Sequence, residues 1–294
     1  MISTNLFQIA IENNKPLLID GAMGSYLQQK EYETDEVLWT SKLNFSNPDA
    51  IRMIHEEYIE AGADIITTNT FRTNPAALKT IGIDNPKDYV RQAVEIAKQA
   101  SQDNKVIIAG SNAPAEDCYQ RKRTLSYDQL ELNHKYHIDL LIDNQVDFIL
   151  NETQSHKDEI EIICDYCDRN NITYIISLYV DDSLKLLSGE SINDVLVSLE
   201  ASNALAVGIN CISPELFKRI IGSIVLPESW GFYLNCGSGK KTDKIIHCGV
   251  QPDEYIKSVI ESLEYHPSFI GACCGSSPKH IRRIREFLDG KISS

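Results

Sequence analysis

Eight short apolar runs, each followed by a longer segment with helical spacing, constrain the fold of this chain more than any other feature. The runs are Pro16–Met23, Asp64–Phe71, Lys105–Ser111, Asp147–Glu152, Thr173–Val180, Ala206–Cys211, Trp230–Cys236 and Ser268–Cys273. Each is nearly continuous in hydrophobicity, as in parallel strands buried on both faces. The segments between them carry helix signals. In Pro48–Gly62, Asn47 stands as N-cap, Pro48 takes the first helical position and Gly62 lies just past the end. Tyr127–Asn144 and Thr153–Asn170 have similar apolar spacing. Pro278–Leu288 follows Ser277 and puts Ile281, Ile284, Phe287 and Leu288 on one face. The alternation predicts one α/β domain over residues 1–294, a single (β/α)8 barrel. No linker or composition shift divides the chain, and Asp289–Ser294 reads as a frayed tail.

Composition removes several classes of function. With 28 Lys+Arg against 42 Asp+Glu, the net charge is -14. Such a surface argues against nucleic acid or an anionic membrane as partner. The first residues, Met1-Ile2-Ser3-Thr4-Asn5, lack the basic and apolar regions of a signal peptide. No apolar run approaches the length of a membrane span. A soluble, cytoplasmic protein is expected, and nothing in the sequence indicates its oligomeric state. In that compartment eight cysteines are not expected to form a disulfide framework. Metal binding, catalysis or burial must account for them.

A barrel of this kind carries its chemistry at the C-terminal ends of the strands. There the runs read Asp20-Gly21-Ala22-Met23-Gly24, Thr67-Thr68-Asn69-Thr70-Phe71, Gly110-Ser111-Asn112-Ala113-Pro114 and Asn151-Glu152-Thr153-Gln154. Later ones read Asn210-Cys211, Asn235-Cys236-Gly237 and Gly271-Ala272-Cys273-Cys274-Gly275. Polar and sulfur-bearing residues recur at one depth of the barrel.

The vicinal pair Cys273-Cys274 is the most specific of these signals. Neighbours on a strand point to opposite faces, so both thiols reach one metal only if the strand breaks there. Gly275 permits that bend. A third thiolate, Cys211 from the sixth run, leaves a zinc ion one exchangeable position, as in catalytic sites. Cys236, at the end of the seventh run, is the main rival ligand, and Cys118 lies in a loop on the same face. Cys164-Asp165-Tyr166-Cys167 has the C-x-x-C spacing of a redox or structural metal pair, but it falls in a helix far from a strand end, where burial or partial exposure is the expectation.

These elements resemble the homocysteine S-methyltransferase family. The resemblance rests on Asp20–Gly24, Ala61-Gly62-Ala63-Asp64, Thr68-Asn69-Thr70-Phe71, Asn151-Glu152-Thr153, Gly208-Ile209-Asn210-Cys211 and Gly271–Gly275 with Pro278 and His280-Ile281-Arg282. It runs from Leu17 to Leu288 in the family's order. It implies zinc held by Cys211, Cys273 and Cys274. It also implies that the amino-acid end of homocysteine rests on Asp20, Glu152 and the backbone near Gly21 and Ala22. Many members that use S-methylmethionine carry a Glu after the N-x-G of strand seven, whereas Ser238 follows here.

Zinc would hold the substrate sulfur as thiolate, the nucleophilic form. The expected reaction is displacement of a methyl group from a small onium donor. Asp20 and Glu152 would pair with the substrate ammonium, and Asn69, Thr70 and Asn210 would orient it. Tyr26, Phe71 and Tyr179 are candidates to face a cationic donor. Two alternatives stay open: a module that receives its methyl group from a separate corrinoid protein, and a zinc-dependent barrel hydrolase or lyase.

Overall fold

The computed structural model describes residues 5–102, 105–239 and 245–292. The readings of Met1–Thr4 and of the last two residues of the tail lie outside the described residues. Eight parallel strands form one sheet: β1 (Leu17–Leu18), β2 (Ile65–Thr67), β3 (Ile107–Asn112), β4 (Phe148–Gln154), β5 (Tyr174–Leu178), β6 (Val207–Asn210), β7 (Trp230–Leu234) and β8 (Phe269–Ala272). Their hydrogen-bonded order is β1-β8-β7-β6-β5-β4-β3-β2. A parallel bridge between Ile19 and Ile65 brings β1 to β2 and closes the ring. The predicted (β/α)8 barrel is the observed fold. Most strands stop short of the predicted C-terminal ends, because the polar strand-end residues leave the ladder and form the upper loops.

Eight helices surround the sheet: α1 (Pro48–Glu60), α2 (Lys87–Ser101), α3 (Tyr127–Asp143), α4 (Lys157–Arg169), α5 (Ile192–Leu199), α6 (Pro214–Ile221), α7 (Pro252–Ser262) and α8 (Pro278–Leu288). The Asn47 side chain caps α1 by accepting from Ala50 N at 3.3 Å. Gly62 follows at φ +100°, a left-handed position that glycine takes without strain. The helix predicted from Thr153 begins only at Lys157. The strand before it runs through Gln154, with a register shift between Asn151 and Gln154 and Thr153 at φ +58°. That bulge is the feature the apolar periodicity did not reveal.

The lower barrel is solid. Phe7, from a short helix over Leu6–Glu12, packs edge-on against Phe148 and Phe269, with ring centroids 5.8 Å apart in both pairs. The strand partner of Phe269 is Gly231, where an added Cβ would meet the Phe269 ring at 2.5 Å. Only glycine leaves room for that ring. With the N-terminal end filled, the open volume lies at the C-terminal ends of the strands. Among the described residues, no helix is long and apolar enough to cross a membrane.

Candidate active site

A cavity of about 620 Å³ opens at the C-terminal ends of the strands. Cys211, Cys273 and Cys274 converge on its wall. Cys211 leaves β6 at φ +54°, and its N–H donates to Tyr233 O at 3.1 Å. Cys273 follows β8, with its N–H on Leu234 O at 2.7 Å. The chain then turns: Cys274 O accepts from Cys236 N at 2.7 Å, and Gly275 N donates to Ser25 Oγ at 2.7 Å. Gly275 has φ +82°, and an added Cβ there would sit 2.4 Å from the Gly237 backbone. This is the break that brings both vicinal thiols to one side.

The three Sγ atoms all lie within 4.8 Å of one another. Cys211 and Cys273 are joined as a disulfide, with Cα atoms 5.6 Å apart. The reduced thiols expected from sequence are therefore not all seen as such. The ends of β6 and β8 flank β7 and bring the two Cα atoms within disulfide reach. Once reduced, this cluster is a set of three soft donors suited to zinc or another thiophilic ion. Cys236 is fully buried and directs its thiol to Leu234 O, outside the cluster. Cys118 lines the cavity without joining the three. Of the two expectations for the C-x-x-C, burial is the one observed: Cys164 and Cys167 are buried on α4.

Two carboxyls line the same cavity. Asp20 accepts from Thr67 N at 2.9 Å and from Thr67 Oγ1 at 3.0 Å. Burial pushes its pKa up from 3.8 to about 8; the Thr67 hydrogen bonds oppose the rise and the Glu152 charge adds to it. Glu152 sits at the bulge of β4 and accepts a short hydrogen bond from Ser111 Oγ. Burial raises its pKa to about 7, against that hydrogen bond. A bound cation would draw both into the charged form.

The other predicted residues divide. Gly21, Ala22 and Asn69 line the cavity. The Ala22 N–H, however, donates to Ser276 Oγ at 3.0 Å, so this backbone donor is engaged within the protein. Asn69 clasps the preceding loop: its Oδ1 accepts from Thr40 Oγ1 at 2.8 Å and its Nδ2 donates to Asn44 Oδ1 at 2.9 Å. Thr70 lies behind the wall and donates to Ser111 O at 2.7 Å. Asn210 ties β6 to Thr153 and Ser177, beneath Cys211. Of the aromatic candidates, Phe71 reaches the cavity. Tyr26 donates to Glu57 Oε2 at 2.7 Å, and Tyr179 packs edge-on against Tyr119.

Sequence reasoning missed Trp39, Arg72, Tyr119 and Tyr233, all of which line the cavity. Trp39 meets Phe71 edge-on at 6.3 Å. A tryptophan in the polar stretch before Pro48 was the available signal. Period two puts Tyr233 on the face opposite Trp230 and Phe232, but only their packing onto Phe217 of α6 shows which face points outward. Burial, then the charge of Glu152, push the Tyr233 hydroxyl well above its ordinary pKa; Asp20 adds to this.

The loop over the cavity has a buried anchor. Glu159 of α4 receives His134 Nε2 at 2.9 Å, Arg123 Nη1 at 2.7 Å and Ala115 N at 2.8 Å. Burial alone would raise its pKa, but His134 and Arg123 bring it to about 2. Ala115 and Arg123 bracket Asp117, Cys118 and Tyr119, so this anchor fixes the segment that roofs the site.

Residues 17–288 match the family model described as homocysteine S-methyltransferase. A homocysteine S-methyltransferase of Escherichia coli (strain K12) is 25% identical, with 97% of this chain and 99% of that protein covered. A selenocysteine methyltransferase of Astragalus bisulcatus is 26% identical, with 92% of each covered. A crystal structure of the Escherichia coli homocysteine methyltransferase MmuM in its oxidized form superposes with a TM-score of 0.82 at 24% identity. It covers 97% of this chain and 100% of that one. At that identity the superposition speaks for the fold alone.

Proposed function

The chain belongs to the homocysteine S-methyltransferase family, and we propose that it moves a methyl group from a small onium donor such as S-methylmethionine to the thiol of homocysteine, giving methionine. The observation that carries this reading is the convergence of Cys211, Cys273 and Cys274 on one cavity wall. Three thiolates favour zinc and leave one position for a substrate thiol. Zinc bound there would lower the pKa of that thiol and hold it as the thiolate.

The remaining chemistry falls to the chain's own residues. Asp20 and Glu152 pair with the ammonium of homocysteine and fix its distance from the sulfur cluster. Thr67 and Ser111 orient the two carboxyls. The ring of Trp39 favours a cationic donor, whereas that of Phe71 already faces the Arg72 guanidinium, 5.6 Å from its centroid. The homocysteine sulfur forms a bond to the methyl carbon as the bond from that carbon to the onium centre breaks. The donor leaves as a neutral sulfide or amine, and the thiol proton goes to solvent. Three thiols kept reduced need a reducing compartment, which makes the cytoplasm the expected location.

A donor panel tests the proposal on reduced, zinc-loaded protein with homocysteine: S-methylmethionine, S-adenosylmethionine, betaine and methylcobalamin. Methionine formed from an onium donor supports it. Activity confined to methylcobalamin, or no methionine at all, overturns it.

A further inference from the structure

Tyr233 lies on β7, between the strands that end in Cys211 and Cys273, and pairs in register with Asn210 and Gly271. Strand alternation turns its ring inward, and its side chain lines the cavity with Asp20 and Glu152. Tyr233 is 4% exposed, and its hydroxyl makes no well-formed hydrogen bond among the described residues, with the Ser177 hydroxyl as a neighbour. The Ser177 hydroxyl spends its proton on Asn210 Oδ1, 2.9 Å away. A buried hydroxyl left without a well-formed hydrogen bond costs folding free energy, and folded chains rarely keep one without a use. Removing it would relieve the fold, so its value lies with something that enters the cavity.

The neighbouring groups say what that is. Asp20 and Glu152 are both acceptors, and Glu152 commits its Oε1 to Ser111. Among the described residues, the only Lys or Arg lining the cavity is Arg72, a residue of the segment after β2. The end of the cavity with the two carboxyls and the phenol therefore suits a cation. An alkyl ammonium presents three N–H donors, and a neutral phenol is able to accept one of them.

We propose that Tyr233 is a substrate-binding residue whose hydroxyl accepts the third N–H of the acceptor's ammonium, beside Asp20 and Glu152, and so selects thiols that carry an α-amino group. This rests on the homocysteine reading given above. It extends that reading from the two carboxyls to a residue that sets which thiols are accepted.

The test is Tyr233→Phe, which removes only the hydroxyl. Dissociation constants for homocysteine and for its des-amino analogue, 4-sulfanylbutanoate, are measured by calorimetry on reduced, zinc-loaded wild type and variant. A hydrogen bond to a charged group is worth about a tenfold change or more in affinity. The preference for homocysteine over the analogue should fall by about that factor. Zinc stoichiometry should not change, and the melting temperature of the ligand-free variant should be equal or higher. An unchanged preference, or equal weakening of both thiols, overturns the proposal, as does a lowered melting temperature with the preference intact. Turnover is read separately. Homocysteine binding without methyl transfer sinks the proposed reaction, while the ratio of constants still judges Tyr233.

Discussion

Thr67 gives Asp20 both its backbone N–H, 2.9 Å from Oδ2, and its hydroxyl, 3.0 Å from Oδ1. The carboxyl is fixed in place, yet burial still holds its pKa at about 8, far above its ordinary 3.8. Between those values the folded chain binds a proton that the unfolded chain releases. Its contribution to stability is full below the lower value and is lost as pH rises through the upper one. Glu152, raised from 4.5 to about 7, acts with the same sign. The melting temperature of the ligand-free protein should therefore fall between about pH 5 and about pH 8, and Asp20→Asn should flatten most of that slope. Thermal scans across this window check it; parallel slopes for both proteins would count against the buried carboxyl.

For ligand binding the sign reverses, because an ammonium needs the carboxylate form. Methionine has no thiol to complicate the measurement. As an inhibitor it should bind more tightly toward about pH 8 than at about pH 6 in wild type, and should lose that trend in Asp20→Asn. Inhibition constants against pH decide the matter.

Ser111 supports Glu152 through the short hydrogen bond to Oε1. Ser111→Ala removes a donor to the charged form, so the Glu152 pKa rises further. The KM for homocysteine should increase about threefold to tenfold at neutral pH, the worth of one hydrogen bond. The kcat should change less. Steady-state kinetics check this, and a loss confined to kcat would contradict the positioning role.

Gly275 carries the turn that places Cys274. Gly275→Ala adds a left-handed strain of about 1–2 kcal/mol and sets a Cβ 2.4 Å from the Gly237 backbone. Destabilisation beyond that strain is expected, together with weakened metal binding, because Cys274 must move. Urea unfolding and zinc titration of the same variant read both effects.

Glu159 is buried and paired with His134 and Arg123. Glu159→Ala leaves buried donors without their charge partner and should cost about 3–5 kcal/mol. Proteolysis within residues 113–124 should accelerate as the roof of the site loosens. A change below about 1 kcal/mol in urea unfolding would show the anchor to be dispensable.

The barrel was legible because each buried strand is an apolar run and some helices announce their starts, as α1 does at Asn47. The three cysteines were legible because a vicinal thiol pair before a glycine has few structural uses. Other features depend on what a residue meets in space. Thr70 and the Ala22 amide stand at strand ends like true contacts, but Ser111 and Ser276 engage them from distant parts of the chain. The bulge before Gln154 needs a register between two strands, which no periodicity encodes. Tyr233 reads as one more apolar strand residue until its hydroxyl is seen to make no well-formed hydrogen bond. The bonded state of Cys211 and Cys273 follows from the packing of β6, β7 and β8, not from their separation of 62 residues.

The most direct test of this account is a zinc titration of the reduced protein and of five single variants, Cys211→Ser, Cys273→Ser, Cys274→Ser, Cys236→Ser and Cys118→Ser. Wild type should take up one zinc per chain. Each of the first three variants should lose affinity by more than the ~100-fold upper range for outer-shell partners, while the last two bind as wild type does. Wild-type affinity in any of the first three, or its loss in Cys236→Ser, would contradict the assignment of Cys211, Cys273 and Cys274 as the metal-holding set.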